Sequence, residues 1–118
     1  MMEQDVMDSI RQMALALPGM VESVSYGTKS FKVKDKLIAR FHEDGVSLVL
    51  KMDMDTRDFL MQAYPHTYSI TEHYRSYPYV LVDLSHVDLE ELKGHLHKAW
   101  KAQATQKLLK TYEAMRWE

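Results

Sequence analysis

The stretch FKVKDKLIARFHEDGVSLVLK, residues 31–51, decides the fold. Phe31 and Val33 alternate with Ser30, Lys32 and Lys34, the period of two that a strand with one buried face requires. Asp35 marks a tight turn, and Leu37–Phe41 runs back. Glu43-Asp44-Gly45 is a second turn, with glycine free to take positive φ, and Val46–Lys51 makes another strand. Three strands joined by turns this short cannot be parallel, because a parallel crossover needs a dozen or more residues. An antiparallel meander follows.

Working outward, Val21, Val24 and Tyr26 lead into the meander through a turn expected at Gly27-Thr28. Before them, Val6, Ile10, Met13 and Leu17 stand at helical spacing, and Pro18-Gly19 ends that helix. Glu3 and Asp5 near its start suit the helix dipole. After the meander, Asp53 or Asp55 caps a short helix expected to run through Ala63 and to bury Phe59, Leu60 and Ala63, with Pro65 closing it. Thr67–Thr71 and Tyr79–Leu84 read as strands, joined by an exposed aromatic loop over 73–78. Asp88 caps the last helix, whose core face carries Leu89, Leu92, Leu96, Ala99, Trp100 and Gln103. Residues 107–117 extend that helix or form a short tail element. The order is α-β-β-β-α-β-β-α, a two-layer α+β domain over 1–118 with one antiparallel sheet and helices mainly on one face.

A chain of 118 residues, 46 % of them apolar, is one domain's worth and long enough to bury a core. The absence of cysteine excludes a disulfide framework, a cysteine zinc site and a thiol nucleophile. The longest apolar run, Met13–Leu17, is too short for a membrane span or a secretory segment, so a cytoplasmic protein without a membrane partner is expected. The net charge of −2 hides an uneven layout. Lys29 to Lys51 holds six basic and three acidic residues, and Lys93 to Lys110 holds five lysines and no acid. Such segments permit a polyanionic partner without demanding one.

Three stretches together resemble the MmcQ/YjbR family. The first is Leu17-Pro18-Gly19 with Ser25-Tyr26-Gly27-Thr28 and Phe31-Lys32-Val33. The second is Leu37-Ile38-Ala39-Arg40 with Leu48-Val49-Leu50-Lys51. The third is Thr71-Glu72-His73-Tyr74-Arg75-Ser76-Tyr77-Pro78-Tyr79-Val80-Leu81-Val82, leading to Asp88, Leu92 and Ala99-Trp100. The resemblance is strongest over 15–100. It implies an α+β fold of the kind labelled a double-wing DNA-binding domain, found mostly in bacterial proteins of uncharacterised biochemistry.

Two constellations carry the functional expectations. Lys29, Lys32, Lys34 and Lys36 flank one hairpin turn, with Arg40 on the returning strand and Arg75 in the later loop. These six are the candidate nucleic-acid contacts, touching backbone phosphates without reading bases. The same lysines suit a solvated hairpin face, and the predicted pI of 6.3 is low for a generic duplex binder. In the loop 73–79, His73, Tyr74 and Tyr77 are candidate contacts for a ligand or partner protein, by stacking or proton transfer. Equally, these rings can pack over the sheet. His95 and His97 fall on different faces of a helix, and no Gly-x-Ser-x-Gly, His-x-x-x-His or phosphate-loop pattern occurs. No enzyme activity, metal or cofactor is expected; the partner is DNA or, alternatively, a protein or small ligand.

Overall fold

The computed structural model describes residues 4–116. Glu3 and Trp117, assigned above to a helix start and a tail, lie outside the described residues. Helix α1 (Gln4–Leu15) leads into four strands, β1 (Met20–Ser25), β2 (Thr28–Val33), β3 (Lys36–Phe41) and β4 (Ser47–Lys51). Helix α2 (Met54–Ala63), β5 (Tyr68–Ser69), a single 3-10 turn (Glu72–Tyr74) and β6 (Tyr79–Asp83) follow. The chain then forms α3 (Leu89–Gln103) and α4 (Gln106–Met115). All six strands form one antiparallel sheet in the order β1-β2-β3-β4-β6-β5. The α+β class and the antiparallel meander are as the sequence indicates.

Turn chemistry sets the first two hairpins. Ser25 pairs with Thr28, so Tyr26 and Gly27 form the turn, at φ 54° and 81°. Val33 pairs with Lys36, so Lys34 and Asp35 form the next, at φ 52° and 64°. Two consecutive positive φ values match the right-handed twist of the flanking strands. The first turn therefore sits one residue earlier than Gly27-Thr28, and that shift places a tyrosine at its apex. The β2–β3 register slips by one between Phe31 and Lys32, leaving Ile38 of β3 without a Cα partner.

Alternation separates the two faces. Phe31, Val33, Ala39, Leu48, Leu50, Val80 and Val82 point to one side and form the core with Ile10, Ala14, Leu92, Leu96 and Trp100 from α1 and α3. Trp100 is fully buried, and its Nε1–H donates to the Pro18 carbonyl at 2.7 Å, tying α3 to the end of α1. On the opposite face lie Ser30, Lys32, Arg40, Val49, Tyr79 and Leu81. There Val49, Leu81 and Tyr74 make a second small cluster with Ile70 and Tyr79.

Helix α2 differs from expectation. Asp53 is its cap, accepting from Thr56 N–H at 2.9 Å, but Phe59 is 65 % exposed and Ala63 is exposed too. The inward positions are Leu60 and Arg57, and Phe59 lies roughly 200° round the helix from Arg57. The strand expected over Thr67–Thr71 shortens to Tyr68–Ser69. The C-terminal segment is a separate helix: α3 ends at Gln103, and Thr105 caps α4 through Leu108 N–H at 3.2 Å.

Candidate functional site

The sheet face away from α1 and α3 carries a cleft of about 340 Å³. Its walls come from three places that are distant in sequence. The β1–β2 turn supplies Ser25 and Tyr26, the β2–β3 hairpin supplies Lys32, Asp35 and Leu37, and the loop before β6 supplies His73, Tyr74, Tyr77 and Tyr79. The two constellations singled out in the sequence thus meet here, through Lys32 on one side and His73, Tyr74 and Tyr77 on the other.

Two buried arginines build the cleft. Arg40, 4 % exposed, points up from β3 beneath the loop. Its Nε and Nη2 donate to the Tyr74 hydroxyl at 3.2 and 2.8 Å, and Nη1 donates to Glu43 and to the Thr28 hydroxyl. The guanidinium also lies 4.9 Å from the centre of the Tyr26 ring, which covers it. Arg40 thereby fixes two of the cleft's aromatic walls. Arg57 of α2, 3 % exposed, does the same for the backbone. Its Nη1 donates to the carbonyls of Tyr74, Tyr77 and Tyr79 at 3.0, 2.8 and 3.4 Å, and Nη2 to that of Arg75 at 3.3 Å. Buried carbonyls without donors are costly, so this one side chain makes the loop's path affordable.

The rings differ in freedom. Tyr74 is buried, and Tyr79 is half-buried with its hydroxyl donating to the Leu37 carbonyl at 3.1 Å. Burial, with Tyr74 and Tyr26 nearby, holds the Tyr79 phenol above its ordinary pKa. Tyr26 and Tyr77 are 72 % and 56 % exposed, and His73 stacks on Tyr77 at 6.0 Å between ring centres. The cleft therefore offers buried rings as floor and exposed rings as flanks. Lys32 is its one cation from the hairpin and Asp35 its one carboxylate.

The remaining sequence candidates are dispersed. Lys34 occupies the exposed hairpin apex beside the cleft, whereas Lys36 pairs with Val33 and so projects from the opposite face to Lys32. Lys29 pairs with Val24 and shares the face of Phe31, so it projects away from Lys32. Arg40 presents no guanidinium to solvent; its role in the geometry is to position Tyr74 and Tyr26. Arg75 is 71 % exposed, pairs with Glu72 at 3.0 Å and does not line the cleft. The lysines of α3 belong to the helical layer on the other side of the sheet from the hairpin lysines, and the two basic segments meet only where Lys51 and Lys98 line a pocket of about 240 Å³. Tyr26, Tyr79 and Arg57 are not among the candidate contacts drawn from the sequence, although Tyr79 belongs to its aromatic loop. An arginine at the inward spacing of α2, three before Leu60, was the available signal for Arg57.

The YjbR family profile matches residues 15–102. The chain belongs to the YjbR family. The match takes in every residue of the cleft and leaves α4 and most of α1 outside it. The YjbR chain is similar to the crystal structure of Deinococcus radiodurans protein DR2400, described as a DUF419 domain, at 26 % identity and a TM-score of 0.72. That likeness covers 89 % of this chain and 86 % of the other. Comparison with curated proteins finds no match. Among the described residues of this YjbR protein, no group of three metal-binding side chains occurs, and no helix is long and apolar enough to cross a membrane.

Proposed function

We propose that the protein is a non-enzymatic, cytoplasmic single-stranded-DNA-binding module. In this reading the cleft accepts one base against Tyr26 and Tyr77, while Lys32 and Lys34 meet the adjoining phosphates. The observation that carries the reading is the convergence of Lys32 with exposed aromatic rings in one concave site. Stacking on tyrosine and histidine is tolerant of sequence, and lysine contacts to phosphate are equally indifferent to it. Duplex DNA fits less well. Its phosphates call for a broad basic surface, whereas Lys29 and the α3 lysines face elsewhere and the net charge is −2.

Fluorescence anisotropy with a labelled oligothymidine at low and rising salt tests this. Two lysines on a single strand give a slope of log K against log salt of about −1.4, and Lys32→Gln reduces its magnitude by about 0.7. Duplex binding equal to single-strand binding, or no binding at low salt, contradicts the proposal. The bounded size of the cleft favours a second reading, a small aromatic ligand. Thymidine monophosphate binding as tightly as the oligonucleotide would select it.

A further inference from the structure

On the helical side of the molecule, α1, α3 and α4 enclose a groove of about 460 Å³. Met13, Ala16 and Leu17 form one wall, and Tyr112 and Met115 the other. Lys93, His97 and Arg116 stand along it, and among the described residues no carboxylate lines it. His97, Trp100 and Tyr112 form a triangle of mutually touching rings, with centres 5.8, 4.9 and 5.3 Å apart, so an aromatic cluster closes the groove's inner end. Burial, and then the charges of Lys101 and Arg116, hold His97 below its ordinary pKa.

We infer that this groove binds a small amphipathic anion, an aliphatic carboxylate whose chain lies between Leu17 and Tyr112 and whose head meets Lys93 and Arg116. Each half of the ligand answers something present. The apolar walls are exposed at Met115 (50 %), which costs free energy unless it is covered. The cations lack an acidic partner in the lining, which an anionic head supplies. At roughly 30 Å³ per water, the space equals about fifteen waters, enough for a medium-length chain. The groove lies on the helical side of the sheet and shares no lining residue with the cleft.

Titration of the full chain with octanoate, followed by amide NMR shifts, tests the inference, with 1-octanol as the neutral counterpart. Saturable shifts confined to α1, α3 and α4 are expected, with octanoate binding about tenfold more tightly than octanol. Lys93→Gln and Arg116→Gln each weaken octanoate binding about fivefold. Ala16→Trp, a change at an exposed wall residue, abolishes it while leaving the melting temperature and oligothymidine binding unchanged. Equal binding of octanol, shifts that map to the Lys32 cleft, or no saturation overturns the inference. So does attachment to phosphatidylglycerol vesicles without octanoate binding, which would make the source a lipid surface.

Discussion

Arg40 and Tyr74, 34 residues apart in the chain, are joined by two hydrogen bonds from one guanidinium to one phenolic oxygen, at 3.2 and 2.8 Å. Both side chains are at least nine-tenths buried. Removing the hydroxyl therefore leaves two buried donors without that acceptor. Tyr74→Phe is expected to cost about 2 kcal/mol of stability by denaturant unfolding. It is also expected to weaken oligothymidine binding, because the ring that floors the cleft loses its anchor.

Arg57 serves four carbonyls of the loop, so its loss acts on backbone and not on side-chain packing. Arg57→Met keeps the apolar stem and removes the donors. A loss of about 3 kcal/mol is expected, with faster hydrogen exchange in the loop segment 74–79 than in β3 or β4. Uniform acceleration across the sheet would show that Arg57 supports the core and not the loop.

These two arginines mark where the sequence was and was not legible. The meander could be read because Phe31 and Val33 alternate cleanly and the turns are too short for any other topology. The cap of α2 was narrowed to Asp53 or Asp55, and Asp53 takes it by accepting from Thr56 N–H. Phe59 was not, because a ten-residue helix with few apolar residues has no unambiguous stripe, and the inward place went to Arg57. Lys32, His73, Tyr74 and Tyr77 were recognisable by type, but their meeting depends on the pairing of β4 with β6, which local pattern does not encode. Tyr26 joined them through a turn whose one-residue shift placed it over Arg40.

The β2–β3 apex holds two non-glycine residues at positive φ, Lys34 and Asp35. Asn and Gly adopt these conformations at lower cost. Lys34→Asn combined with Asp35→Gly is expected to stabilise the protein by about 1 kcal/mol, read as a rise in melting temperature.

The pH dependence should show two steps on the acid side. Burial pushes the His95 pKa down against the pull of Glu91, and burial with Lys101 and Arg116 pushes His97 down. The unfolded chain then binds protons more readily, so stability falls as pH drops below about 6.5. Glu43, held low by its hydrogen bond from Arg40, and Asp53, held low by Thr56, contribute stability above their ordinary values that is lost as pH falls through their folded ones. Thermal melts from pH 8 to 3 should show both steps. A His95→Gln, His97→Gln double variant should keep only the lower one.

The most direct test of the cleft is an amide NMR titration of the full chain with an octamer of thymidine at low salt. The account predicts shifts at residues 25–26, 32–37 and 73–79, lost together in a Lys32→Glu, Tyr77→Ala double variant that melts at the wild-type temperature. Shifts confined to α3 and α4, or none at all, would contradict it.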